Sequence, residues 1–352
     1  MKLFYLLIAF TLLSVSANGQ LAERIDSLAL EQAAKGFNGN VLYSRNDSVV
    51  FTGNYGYRTF ETQQPLNDHT IFDVASITKQ FTAIAIIQLI EKGMVSYDTN
   101  VHKIIKGFPY SDITIEHLLR HQSGLPGYQD ILDDKNNWDR KEQATNRDLL
   151  NILSKLNVPL EFEPGTKYQY SNTGYVVLAS IIEELSGQSY AGYIQEHLFN
   201  PAGMLSSKVQ GNSSYLPGRD NLASGYTLTP QSWWSWLPFI KEKEKYQNVE
   251  EDTNHEKVHW MSHIVGGRGV FSSTVDLEKW KQAIRTNKLV SEESKQQMFS
   301  VDSVSTTYGY GFAIYNTQFK SKWVYHNGSW AGFKTTALYL PESNEYLVIL
   351  SN

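Results

Sequence analysis

From Ser76 to Lys92 the chain reads Ser-Ile-Thr-Lys-Gln-Phe-Thr-Ala-Ile-Ala-Ile-Ile-Gln-Leu-Ile-Glu-Lys, closed by Gly93, and its middle is apolar nearly all the way round. A helix at a protein surface carries an apolar stripe and a polar face, so one that is apolar on every side must be enclosed by other elements. The segment predicts a buried helix around which the rest of the fold is arranged, with Gly93 as its C-terminal cap. At its start, Ser76 precedes Lys79 by three residues, which puts hydroxyl and ammonium on one helical face. A serine hydroxyl is a poor nucleophile until a base takes its proton, and a partly desolvated lysine has its pKa lowered enough to serve. The helix start adds positive potential and free backbone N–H groups for an oxyanion. The competing reading is an ordinary serine N-cap beside a solvated lysine.

Composition narrows the chemistry. The 352 residues contain no cysteine, which excludes a thiolate nucleophile, a disulfide scaffold and a cysteine-ligated metal. With 41% hydrophobic and 19% charged residues the chain is globular, not disordered. Lys and Arg number 31 against 36 Asp and Glu, a net charge of −5 with no basic excess to hold nucleic acid. The N-terminus has Lys2, an apolar run from Leu3 to Leu13, and small residues at Val15, Ala17 and Gly19. That is the pattern of a secretory signal over residues 1–19, with an N-terminal membrane anchor as the alternative. No later stretch is long and apolar enough to cross a bilayer. The expectation is an exported protein, periplasmic or extracellular, with no stable membrane insertion once the signal is removed.

Leu21 to Lys35 has helical spacing and ends at Gly36, and Asn40–Ser44 with Ser48–Tyr55 reads as a hairpin around Arg45-Asn46-Asp47. Between about Asp98 and Pro201 the pattern is mostly helical, clearest at Leu149–Leu156 and Val176–Leu185. An aromatic cluster at Trp233, Trp234 and Trp236 and a charged run from Lys241 to Lys257 read as a solvated loop or lid edge, or else a carbohydrate or partner site. Strands return at Tyr308–Tyr315, Lys322–His326, Thr335–Leu340 and Tyr346–Leu350. The predicted class is α/β (α+β): an antiparallel sheet flanked by helices and built from both chain ends, about 20–75 and 262–352. A mostly helical middle, about 76–261, completes it.

Three short motifs follow one another: Ser76-Ile-Thr-Lys79, then Tyr170-Ser-Asn172, then His326-Asn327-Gly328 at the end of a predicted strand. Their flanks are Phe72-Asp-Val-Ala75, His117-Leu-Leu-Arg-His-Gln-Ser-Gly-Leu125, Asn200-Pro-Ala-Gly-Met204 and Gly266-Gly-Arg-Gly-Val-Phe-Ser-Ser-Thr274. In these motifs, their order and their flanks the chain resembles the serine β-lactamase and penicillin-binding-protein superfamily, its class C-related, DD-peptidase and esterase branch. The resemblance covers nearly all of residues 20–352. It implies that Ser76 is the acylated nucleophile and Lys79 its base or relay. Tyr170 would pass a proton to the leaving group, and Asn172 would hold Lys79 and a substrate amide or carbonyl. Gly328 lets substrate approach the strand, and the N–H groups of Ser76 and Ser329 form the oxyanion hole. The substrate-binding set is then Asn172, His326, Asn327, Gly328 and Ser329. His326 departs from the lysine commonest in the family, and a histidine is charged only below about 6.5 unless its surroundings shift it. That argues against β-lactamase activity more than against acyl transfer in general.

Other chemistries have weaker footing. His255-Glu256-Lys257-Val258-His259 with His263 has the literal form of a zinc-peptidase motif, but it lies in a charged loop with a lysine beside the would-be metal. No Gly-x-Ser-x-Gly elbow occurs, and no local pattern selects two carboxylates for glycoside hydrolysis. His117 and His121 read as structural. The expectation is therefore a serine hydrolase without cofactor or metal, acting on a D-alanyl peptide, small ester or amide. A β-lactamase and a non-catalytic cell-wall or peptide-binding protein are the alternatives. The resemblance also implies a C-terminal helix after Tyr346–Leu350 that the sequence does not contain, so an exposed apolar strip on the sheet is expected.

Overall fold

The computed structural model describes residues 2–210, 221–228, 246–249, 260–316 and 321–352. Its main sheet is antiparallel and joins the two ends of the chain. β1 (Gly39–Arg45) and β2 (Ser48–Tyr55) form the expected hairpin. Arg45 pairs with Ser48 across a two-residue loop in which Asn46 and Asp47 have φ of 51° and 61°, the left-handed turn that suits strand twist. β3 (Ala313–Asn316), β4 (Lys322–Trp330), β5 (Phe333–Leu340) and β6 (Glu345–Ser351) come from the other end. The strand order is β3-β4-β5-β6-β1-β2, with Val41 opposite Ile349 where the ends meet.

Helix α1 (Lys2–Ala34) starts well before the expected Leu21 and lies on the outer face of the sheet. There Ile25, Ala29 and Ala33 pack with Val41, Tyr55, Leu347 and Ile349. Along β6 buried and half-buried residues alternate, so the strand is fully enclosed on one face only. Beyond α1 the outer face opens: Tyr315 is 54% and Trp323 39% exposed. The inner face packs on α4 (Thr274–Arg285), whose Trp280 ring lies 4.1 Å from that of Phe81.

Phe81 belongs to α2 (Thr78–Glu91), the helix expected at the centre; every residue from Thr78 to Ile87 is buried. Its buried polar groups have partners, as burial requires: Gln80 accepts from Trp280 Nε1 at 3.0 Å and Thr82 donates to the Gly266 carbonyl at 2.7 Å. Gly93 follows with φ 71°, the left-handed stop. The middle of the chain supplies α3 (Asn172–Ser186), which packs along α2, and shorter helices such as Ile115–Leu119 and Asn146–Leu156. A small sheet of Phe72–Asp73, Val270–Ser272 and Lys208–Val209 leads the chain into α2.

The strand expected at Tyr308–Tyr315 is shorter, because its first half is shaped by glycines. Gly311 has φ 77° and lies against the Lys79 carbonyl, and a Cβ on Gly309 would run into the Met298 carbonyl. Only Ala313–Asn316 ladders with β4. The tryptophan cluster, most of the charged run and the motif at His255, Glu256 and His259 lie outside the described residues.

Candidate active site

Ser76 does not cap α2. It sits in a single 3-10 turn, Ala75–Ile77, that precedes the helix, and no side chain caps either element. Ala75 holds φ at 49°, a conformation unfavourable for a residue with a Cβ, and its N–H donates to the buried Asp73 carboxylate at 2.7 Å. Burial raises the Asp73 pKa to about 6, opposed by Arg268 and by the Ala75 hydrogen bond.

Lys79 is wholly buried, not solvated. Its Nζ stands 3.2 Å from Ser76 Oγ, 2.8 Å from Asn172 Oδ1 and 2.7 Å from the Gly267 carbonyl oxygen. The rings of Tyr170 and Tyr175 lie 4.9 and 5.6 Å from it. Burial first, and the Arg268 charge second, push its pKa well below the ordinary lysine value. Asn172 opens α3, where Ser171 caps the helix by accepting from Gly174 N–H at 3.3 Å. Tyr170, one residue earlier, keeps 41% of its surface exposed while its hydroxyl is bonded to Ser76. Desolvation raises the Tyr170 pKa, and the Ser76 hydrogen bond opposes the shift.

β4 completes the cleft. β3 pairs with it only as far as Tyr325, so the segment from His326 to Trp330 lies past the end of that ladder, against the Ala75–Ile77 turn. Gly328 makes this possible, since a Cβ there would come within 2.5 Å of the Val74 carbonyl oxygen and 3.0 Å of Ala75 Cβ. His326 faces inward beside Tyr170 and is 5% exposed. Its Nδ1 lies 2.7 Å from the Asn327 carbonyl, which can only accept, so Nδ1 carries the proton and Nε2 accepts from Tyr308 Oη at 2.9 Å. Burial, then the Lys79 charge, lowers its pKa to about 3, against the Asn327 hydrogen bond. The titration near 6.5 expected for an exposed histidine is absent here: His326 is a neutral, doubly bonded ring. The Asn327 and Ser329 side chains turn to the exposed face, bonded to Thr336 Oγ1 and Lys334 Nζ. The structure thus brings Ser76, Lys79, Tyr170, Asn172, His326, Gly328 and the backbone of Ser329 together, and leaves the Asn327 side chain out.

Sequence reasoning passed over several residues of this site. The Gly267 carbonyl holds Lys79, and the run of three glycines among residues 266–269 was the available signal for close backbone approach. His121, read as structural, is 1% exposed beneath Tyr170 with ring centroids 4.3 Å apart. Its Nδ1 accepts from Ser171 N–H at 3.0 Å, its carbonyl accepts from Gln169 N–H at 2.9 Å, and its Nε2 has no partner. It therefore grips the backbone on both sides of Tyr170. Desolvation, then Lys79 and His326, hold it well below the usual histidine pKa. Tyr308 is likewise buried in this cluster.

Comparison with known proteins agrees with this geometry. The profile of the Beta-lactamase family matches residues 27–352. Penicillin-binding protein 4* of Bacillus subtilis (strain 168) is 36% identical over 321 residues, 90% of this chain and 68% of that protein. The penicillin binding protein from Bacillus halodurans superposes with a TM-score of 0.75 at 26% identity, covering 92% of each chain. The D-amino acid amidase from Ochrobactrum anthropi SV3, with a TM-score of 0.71 at 21% identity over 91% of this chain and 88% of its own, shares the fold. A match over almost the whole chain, on a fold that sets a serine against a buried lysine, means that the chain belongs to the Beta-lactamase family of serine hydrolases.

Proposed function

We propose that the chain hydrolyses a small ester, an amide or a D-alanyl peptide through an acyl-enzyme on Ser76. The observation that carries this reading is the set of partners around Lys79. An unprotonated amine has two N–H bonds and one lone pair. Asn172 Oδ1 and the Gly267 carbonyl are acceptors that take the two hydrogens, which leaves the lone pair for the hydroxyl of Ser76 at 3.2 Å. Burial lowers the Lys79 pKa well below the ordinary lysine value and so favours the neutral amine that can act as base. The Ser76 oxygen attacks the acyl carbon, and the oxyanion is received by the backbone N–H groups of Ser76 and Ser329. Tyr170, kept protonated by its raised pKa and bonded to Ser76, delivers the proton to the leaving group. The same groups then activate the deacylating water.

His326 shapes the choice of leaving group. A neutral ring with both nitrogens engaged offers no cation to a terminal carboxylate, which favours esters and amides with uncharged leaving groups over D-alanyl peptides and disfavours the β-lactamase reading. The apolar N-terminal run further supports export to a periplasmic or extracellular site, which cell fractionation and N-terminal sequencing of the mature protein test.

The central test is labelling with a fluorophosphonate followed by peptide mass mapping. The expected result is one adduct on Ser76, lost in Ser76→Ala together with turnover of a short nitrophenyl ester. Labelling elsewhere, or full turnover by Ser76→Ala, would overturn the acyl-enzyme mechanism and promote the non-catalytic binding protein.

A further inference from the structure

Among the described residues, Arg268 has no carboxylate in contact. It is 6% exposed, its guanidinium lies 4.2 Å from the Trp330 ring, Nη2 donates to the Met261 carbonyl, and Nε has no partner. Asp73 feels the Arg268 charge without forming an ion pair, and its Oδ1 accepts the Ala75 N–H. A buried charge left without a partner is costly, and proteins ordinarily pair it or use it. Arg268 and Asp73 line a cavity of about 80 Å³ together with Gln210, Ser262 and Trp330, large enough for a carboxylate.

The position of this cavity gives the charge a use. Tyr170 and His326 stand on the side of Ser76 where the leaving group departs, their rings 6.2 Å apart. Trp330 directly follows Ser329 on β4, and Arg268 directly follows Gly267, whose carbonyl holds Lys79. A substrate with its carbonyl at the oxyanion hole and its leaving group toward Tyr170 sends its acyl chain the other way, toward Trp330 and Arg268.

We infer that Arg268 receives a carboxylate carried by the acyl part of the substrate, in the cavity between Asp73 and Trp330. The inference rests on the acyl-enzyme reading above, which fixes the side of the leaving group. It specifies the substrate class as esters or amides of an acid with a second, distal carboxylate. Asp73 shares the cavity, and its raised pKa lets it take up a proton when a second anion enters. The Trp330 ring and the Met261 carbonyl hold the guanidinium in place and leave Nε without a partner, open to a carboxylate.

The test compares nitrophenyl hemiesters of succinic, glutaric and adipic acid with neutral fatty-acid esters of matching chain length, on the full chain. The expected result is that kcat/KM for at least one hemiester exceeds that of its neutral counterpart by roughly tenfold or more, the size of one charge-assisted contact. In Arg268→Gln the ratio of charged to neutral turnover should fall toward one, and Arg268→Lys should keep part of it. The ratio is the readout because loss of Arg268 also alters the field at Lys79 and so changes every rate together. A wild-type ratio at or below one for all three pairs overturns the inference without any variant, as does a preference that survives in Arg268→Gln. Failure of the acyl-enzyme reading is separately visible: neutral esters would then be turned over equally by wild type and Ser76→Ala, or not at all.

Discussion

His121 occupies the left-handed region at φ 59° and serves Tyr170 and Asn172 through the Ser171 N–H between them. Which property of the side chain matters can be separated by substitution. Asparagine tolerates positive φ, and its Oδ1 sits at the same bond distance from Cβ as the histidine Nδ1, so His121→Asn can keep the acceptor and lose only the ring. His121→Phe keeps a ring under Tyr170 but leaves the Ser171 N–H buried and unpaired, a cost of about 1–3 kcal/mol. The expected outcome is that kcat falls roughly tenfold or more in His121→Phe with KM little changed, while His121→Asn recovers most of it. Equal losses in both variants, tracking their melting temperatures, would return His121 to a purely structural role. His326 allows a second substitution. A lysine at that position would supply the cation that the neutral imidazole does not. His326→Lys should gain acylation by carboxylate-ended D-alanyl peptides or penicillins relative to neutral esters, measured as the ratio of their kcat/KM values. A ratio that does not rise would show that another feature of the cleft excludes these substrates.

At the scale of elements, the proposed oxyanion pocket requires β4 to lie closely against the Ala75–Ile77 turn. Gly328→Ala places a methyl within 2.5 Å of the Val74 carbonyl oxygen and 3.0 Å of Ala75 Cβ, so strand or turn must move. Since a displacement of about 1 Å can cost on the order of a hundredfold in rate, Gly328→Ala should slow labelling of Ser76 by about that factor while the chain stays folded. Unchanged labelling would mean that the oxyanion pocket does not include β4. The buried helix was legible because residues 81–90 are apolar on every face, and the β1–β2 hairpin because Asn46-Asp47 suits a left-handed turn. The spacing of Ser76 and Lys79 showed only that they share a helical face; their proposed roles came from the resemblance carried by the three ordered motifs and their flanks. The sequence could not show that Ser76 stands on a separate 3-10 turn, since beside the local Asp73–Ala75 bond the turn is held by the tertiary contact with β4. Nor could it show the state of His326. Whether that ring is an exposed switch or a neutral buried one depends on Tyr308, which reaches it from eighteen residues away. His121 and Gly267 were hidden for a related reason: each reaches the site through groups, a backbone carbonyl or a bond to a backbone N–H, that residue type does not advertise.

For the whole molecule, the site places three bases, Lys79, His121 and His326, in one buried cluster, each held below its ordinary pKa. In the unfolded chain each returns to its usual value and binds a proton that the folded form refuses. Stability changes with pH according to the difference in bound protons, about 1.4 kcal/mol per pH unit for each proton of difference. For the histidines, stability is fully present above the unfolded pKa near 6.5 and is lost as pH falls from there toward about 3, the folded value for His326. Lys79 acts in the same sense at higher pH, between its lowered folded value and the ordinary lysine value near 10.5, so stability should still rise on the alkaline side of neutrality. Asp73 has the opposite sign. Its folded pKa is raised to about 6, so it favours the folded state below the ordinary carboxylate range and loses that contribution as pH rises through 6. Two histidines outweigh one aspartate between pH 6.5 and about 4. Below that, the depressed carboxylates of Asp47 and Asp302 add to the loss. The chain should therefore melt at a clearly lower temperature at pH 5 than at pH 7.5, and His326→Asn should reduce that difference by removing one refused proton. A melting temperature that is flat from pH 5 to 7.5, or a slope unchanged by His326→Asn, would mean that His326 is protonated in the folded state. A protonated His326 would supply the cation that the cleft otherwise lacks, and carboxylate-ended leaving groups would then be substrates of the wild-type chain.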